Sequence, residues 1–159
     1  MLVLLVASAP LAAADLTVTY DQGSARNIYA SGASSLNAPQ NTTIYDVWGG
    51  YVIDWNPPAA TPGLTVAGYD LYRIPGPGTP GDVEVSHLGA RRSAAYDSAG
   101  PGTYIYFVTA VFATAGESIP GNPVSTADTG GNYPHCGVVG VFTSPPYYDT
   151  HIACLFPLP

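Results

Sequence analysis

Charge is what this sequence has least of. Only 9% of its 159 residues are Asp, Glu, Lys or Arg, where an average soluble protein carries roughly a quarter. Lysine is absent, and the four basic residues are Arg26, Arg73, Arg91 and Arg92, set against 11 acidic ones. A formal net charge of -7 leaves no basic footprint for a phosphate backbone, which excludes nucleic-acid binding. Apolar runs are short as well. The longest, residues 1–14, falls below the roughly 20 residues a membrane-spanning helix needs, so no stable membrane span is expected. A sustained 3.6-residue apolar period is missing, which excludes a helical domain.

Recognisable catalytic motifs are also missing. Asp149 and His151 flank Thr150 without a serine or cysteine in a strand-to-helix elbow, so a hydrolase triad has no nucleophile. Glu84, Glu117 and nine aspartates supply carboxylates, but none lies in a glycosidase motif. Pro75-Gly76-Pro77-Gly78 lacks the lysine and following helix of a phosphate loop and reads as a turn. The expectation is a protein that is not an enzyme and carries no cofactor.

What is present is material for a core. The chain is 47% hydrophobic with 12 tyrosines, long enough for a buried interior. Residues 1–14, MLVLLVASAPLAAA, read as the apolar region of a secretory signal, with Ala12 and Ala14 as the small cleavage pair. The basic residues that open such a signal are missing before Arg26, so the segment is either removed or retained as a buried strand or helix.

From Asp15 onward, short runs alternate at period two between Gly, Pro, Asn and Asp punctuation. Strands are expected at 16–20, 44–47, 49–55, 66–74, 83–85, 102–112 and 123–127. Tyr51, Ile53 and Trp55 share one face, and Val52 and Asp54 the other. Strands at this spacing predict an all-β antiparallel sandwich.

Four ordered motifs sharpen that prediction. Tyr51-Val52-Ile53-Asp54-Trp55-Asn56-Pro57-Pro58, then Val66-Ala67-Gly68-Tyr69-Asp70-Leu71-Tyr72-Arg73, then residues 101–111, PGTYIYFVTAV, and finally Ser118-Ile119-Pro120-Gly121-Asn122-Pro123-Val124 together resemble a secreted, bacterial-type fibronectin type III domain, an immunoglobulin-like sandwich, over roughly residues 40–128. The resemblance implies that Trp55 is a core tryptophan, that Tyr69 and Leu71 point inward, and that the Tyr104 hydroxyl ties back to nearby backbone. It says little about function.

The strand at 102–112 poses a physical problem. Tyr104, Tyr106, Val108 and Ala110 face the core, which leaves Ile105, Phe107, Thr109 and Val111 on a face that meets water in a free-standing sandwich. Apolar side chains there point to a cover, either an extension of this chain or a neighbouring subunit; the alternative is an apolar strand left exposed, since single exposed hydrophobic residues are ordinary. Ile105, Phe107 and Val111 are the candidate assembly face.

The C-terminal stretch carries both cysteines. Residues 138–142 and 151–156 read as two strands joined through Ser144-Pro145-Pro146, stapled by a Cys136–Cys154 disulfide. The rival is a Cys2His2 metal site from His135, Cys136, His151 and Cys154, but its spacing does not match zinc modules, and no metal is expected. Tyr133, Tyr147 and Tyr148 are candidates for stacking on sugar rings. Asn41-Thr42-Thr43 fits a glycosylation acceptor.

The organisation expected is an apolar segment at 1–14, an N-terminal β extension at 15–47, a sandwich at 48–128 and a Cys-containing extension at 129–159. Two functions follow. The first is an extracellular, cell-surface structural or adhesive protein that self-associates, or binds another surface protein, through strand exchange and apolar sheet faces in a filament-like assembly. Scarce charge weakens mutual repulsion and favours it. The second is a carbohydrate-binding accessory module that uses exposed tyrosines to hold glycans.

Overall fold

The computed structural model describes residues 16–20, 27–31, 36–129, 135–144 and 147–156. The apolar segment at 1–14 lies outside the described residues. Among these residues twelve β-strands form three antiparallel sheets, and there is one turn of 3-10 helix.

The central sheet is built on two long and largely buried strands. β5 (Val66–Pro75) pairs along its length with β8 (Tyr104–Phe112), and β6 (Glu84–Gly89) closes the far side of β5. On the other side of β8 lie β9 (Gly116–Glu117) and β10 (Val124–Ser125). Gly121 N donates to Val108 O between them, so residues 116–125 behave as one interrupted strand. A Cβ on Gly121 would lie 2.6 Å from Pro39 O, so only glycine lets the chain pass this close.

The second sheet, β3-β4-β7, comprises Gln40–Val47, Gly50–Asn56 and Ala94–Asp97. It packs on the central sheet through Ile44, Ile53 and Trp55, which meet Tyr69, Leu71, Tyr106, Val108, Ala110, Phe112 and Val124. Trp55 is buried and meets Tyr69 edge to face, with ring centroids 5.4 Å apart. These two sheets are the expected fibronectin type III-like, immunoglobulin-like sandwich, and the inward roles of Trp55, Tyr69 and Leu71 hold. The boundary shifts, however. β3 pairs with β4 from Gln40, so the sandwich begins near residue 40 and not at 48. Its first strand is part of what the sequence assigned to the N-terminal extension.

The third sheet is the structural surprise. β1 (Thr17–Tyr20) and β2 (Asn27–Ser31) form one hairpin, and β11 (Cys136–Ser144) and β12 (Tyr147–Cys154) form another. β2 pairs with β12, giving the order β1-β2-β12-β11. The two extensions therefore fold together as a single terminal sheet. Its inner face, with Ile28, Ala30, Ile152, Cys136 and Cys154, covers Tyr72, Ile74, Ile105 and Phe107 of the central sheet.

That arrangement corrects the assembly-face expectation. Ile105 and Phe107 are fully buried by residues of their own chain, and Val111 is half-buried. The reason is energetic. Burying a Phe and an Ile stabilises by roughly 1.5–3 kcal/mol each, and the tethered terminal strands reach them without the entropy cost of association. The disulfide joins directly opposed Cys136 and Cys154, 18 residues apart, and closing a loop of this size contributes about 3 kcal/mol.

Phe107 stacks on its cross-strand partner Tyr72, with ring centroids 4.7 Å apart. Phe107→Ala is expected to destabilise the fold by about 3–5 kcal/mol. Val139→Ala, at a 60% exposed position, is expected to stay within about 0.5 kcal/mol of the parent. Urea unfolding of both variants checks the contrast.

Candidate functional site

Two polar networks hold the layers together. In the first, Glu117 is almost fully buried beside the terminal sheet. Its Oε1 accepts from the Tyr72 hydroxyl at 2.7 Å and from the Thr109 hydroxyl, and its Oε2 accepts from Leu16 N at 3.1 Å. One carboxylate thus joins β8, β5 and the head of β1. Burial pushes the Glu117 pKa up; the three hydrogen bonds lower it and Asp70 raises it further, and the net shift is upward. Next to it, His87 Nδ1 lies 2.7 Å from Asp70 Oδ1.

In the second network, Arg73 contacts Asp97 through Nη1 at 2.7 and 2.8 Å and Glu84 through Nη2 at 2.5 Å. Burial works against the guanidinium charge, but the bonds to Asp97 and Glu84 outweigh it and hold the group cationic. Asp97 also accepts from the Tyr106 hydroxyl at 2.9 Å, and burial together with that carboxylate raises the Tyr106 pKa. The hydroxyl tie implied for Tyr104 is thus made by Tyr106, to a side chain; Tyr104 instead carries the Arg73 guanidinium 5.3 Å from its ring centre.

The remaining histidines have structural partners. His135 Nδ1 lies 2.7 Å from Asp128 Oδ1, and the same oxygen accepts from His135 N. Asp128 also closes a capping box with Ser125 around the 3-10 turn Thr126–Asp128. His151 stacks on Tyr29 at 4.6 Å, and its Nε2 lies 2.9 Å from Asn27 Oδ1. Since both cysteines are spent in the disulfide, the Cys2His2 alternative loses its sulfur ligands. Among the described residues, no group of three His, Cys, Asp or Glu is arranged to hold a metal ion.

Only part of the proposed sugar-stacking set can be placed. Tyr133 and the side chain of Tyr147 lie outside the described residues, and Tyr148 is half-buried. Asn41 is exposed, at φ 51, in the register shift that starts β3. Asparagine is among the few side chains that tolerate that backbone region.

Large exposed hydrophobic residues fall mainly in two places. One is β11, where Val138, Val139 and Val141 are 41, 60 and 42% exposed. The other is the solvent face of β3-β4-β7, where exposed Tyr45 and Tyr96 flank half-buried Val52 in one cross-strand row. Trp48, at the turn between β3 and β4, is wholly exposed. Sequence reasoning missed this second group. The signal of Tyr45 and Trp48 was legible, though not that of Tyr96: Tyr45 alternates with core-facing Ile44, and a tryptophan directly before Gly49-Gly50 sits where a hairpin turns.

The Glu117 carboxyl has a pH signature. A folded-state pKa above the unfolded value means that the native chain binds more protons between the two values, so stability falls as pH rises through that window. Relative to Glu117→Gln, the parent is expected to gain stability as pH is lowered from 7 towards the ordinary carboxylate range. Urea midpoints of both proteins across that range measure it; parallel curves would show no such linkage.

No protein-family model matches the sequence, and no curated protein matches it. Solved structures do show likeness. A myokine structure is 20% identical, covering 57% of this chain and 95% of that chain, with a TM-score of 0.44. An Fn3-like protein from Clostridium thermocellum is 22% identical, covering 58% of this chain and 92% of that chain, with a TM-score of 0.43. The fold assignment rests on the strand order itself, β3-β4-β7 against β10-β8-β5-β6, with Trp55 in the second strand.

Proposed function

We propose that the chain is a non-enzymatic, secreted structural or adhesive module that associates with further copies of itself through the open edge of its terminal sheet. The observation that carries this reading is β11. It is nine residues long, ends the order β1-β2-β12-β11, and contains no charged residue. Three of its valines are exposed. Edge strands are normally blunted by lysine, proline, inward charge or a β-bulge; β11 has no charge and no proline, and its one such device is the register shift between Val138 and Gly140, which leaves Val141–Ser144 paired in regular register.

Chemistry supports the secreted compartment. The Cys136–Cys154 disulfide favours an oxidising environment. Among the described residues, no helix is long and apolar enough to cross a membrane. Low charge supports association in a different way from that expected at first. The Ile105–Phe107 face is already occupied by the chain's own strands, so self-association falls to the neutral edge. Pairing of β11 with β11 of a second copy extends the terminal sheet antiparallel about a two-fold axis.

Size-exclusion chromatography with light scattering over a hundredfold concentration range tests this. A mass that rises with concentration is expected, with the rise suppressed by Val139→Lys, which places a charge on the edge. A monomer at every concentration, indistinguishable from the variant, would overturn it.

A further inference from the structure

We propose that the solvent face of the sheet β3-β4-β7 is a binding platform for an uncharged glycan chain, with Tyr45 and Tyr96 as the stacking rings and Trp48 at its margin. This is independent of the β11 reading, because it uses another sheet and other residues. It applies the same sugar-stacking chemistry to a different set of rings, which the fold holds in the open.

The rings are held in place before any ligand arrives. Tyr96 stands opposite Val52 on the outward row, yet its hydroxyl donates to Gly49 O at 2.8 Å in the β3–β4 turn. A side chain bonded to backbone three residues along the sheet cannot stand upright; it lies along the surface. Gly49 and Gly50 make this possible. A Cβ on Gly49 would lie 3.3 Å from the Tyr96 hydroxyl oxygen, and one on Gly50 would lie 2.1 Å from Asp97 O. On the opposite edge, the Tyr45 hydroxyl lies 3.4 Å from Thr43 Oγ1, which is itself bonded to Asp54. Both rings stay 52–57% exposed despite these bonds.

The chemistry selects the ligand. A tyrosine ring lying along a sheet offers an apolar face with polar groups at its border, which suits the apolar face and hydroxyl rim of a sugar ring. Tyr45 and Tyr96 are on strands two spacings apart, about 10 Å, so the platform is longer than one sugar ring and fits a chain. Asp54 is the only charged residue on the outward rows of these strands, and none of the three strands contains Lys or Arg. A carboxylate accepts hydrogen bonds from hydroxyl groups and repels sulfated or uronic polymers. The rings also lie open, whereas a protein anchor residue is usually seated in a desolvated pocket; this favours a flat ligand over a protein partner.

Fluorescence offers a direct readout, because the chain has two tryptophans and Trp55 is buried while Trp48 is fully exposed. The experiment titrates the full chain with soluble neutral polysaccharides (β-glucan, xylan, mannan) and with alginate as the anionic control, following tryptophan emission and calorimetric heat. At least one neutral polymer is expected to bind and shift the exposed-tryptophan emission, with alginate giving no response. Tyr96→Ala and Tyr45→Ala are each expected to weaken binding about tenfold. Tyr96→Phe keeps the ring but loses its hydroxyl bond and is expected to weaken it less. Tyr148→Ala serves as the unaffected control. Unchanged thermal unfolding of each variant excludes a folding defect. Absence of binding to every neutral polymer, equal binding of alginate, or indifference to both alanine variants would overturn the proposal. So would a dimer of the parent that Tyr96→Ala converts to monomer, which would assign this face to a second copy.

Discussion

The whole structure depends on two strands that are apolar on both faces. β5 and β8 alternate between side chains that serve one neighbouring sheet and side chains that serve the other: Tyr69, Leu71, Tyr106 and Val108 on one side, and Tyr72, Ile74, Ile105 and Phe107 on the other. Antiparallel sheets usually leave one face to water and signal it by alternating polarity. A sheet without that alternation has to be covered twice. The sandwich supplies the first cover, and the terminal sheet supplies the second, so the protein has three layers where the family-like core needs two.

The second cover brings its own problem, since its strands come from opposite ends of the described chain. Residues 27–31 must find residues 149–153, and a pairing so distant in sequence is entropically costly. Three local devices reduce that cost. The disulfide fixes β11 against β12, Asp128 holds the start of the C-terminal hairpin through His135, and Glu117 catches Leu16 N at the head of β1. The Glu117 bond is unusual because a buried carboxylate is unfavourable unless it is well satisfied. Here it meets donors from two strands and from Leu16 at the head of a third. The carboxyl sits where the central sheet, its own β9 strand and the N-terminal hairpin meet, and its burial is the cost of joining them.

Legibility from sequence followed the range of the interaction. The faces of 51–55, the inward roles of Trp55, Tyr69 and Leu71, and the Cys136–Cys154 hairpin were readable because each is set by period-two alternation or nearby spacing. The need for a cover over Ile105 and Phe107 was readable too, since it is a local statement about one strand. What filled that need was not, because nothing in Asn27–Ser31 announces its partner more than a hundred residues away. β7, Ala94–Asp97, was missed as a short run with weak alternation, although its Asp97 anchors Arg73. The Tyr45–Tyr96 row was lost for the same reason: it exists only once β7 is placed beside β4.

Covering both faces of the central sheet also determines where interaction can occur. A two-layer sandwich with an apolar outer strand invites a subunit onto that strand; a three-layer one has used that surface and presents only its outermost faces and its edges. Scarcity of charge therefore has two separate consequences. Inside, the few charged groups are committed to joining layers: Arg73 with Asp97 and Glu84, Glu117 with Tyr72 and Leu16, and Asp128 with His135. Outside, little charge remains to guard β11 or to break up the aromatic face of β3-β4-β7. The proposed recognition at these surfaces rests on backbone hydrogen bonds and ring faces, so weak dependence on ionic strength is its expected physical mark.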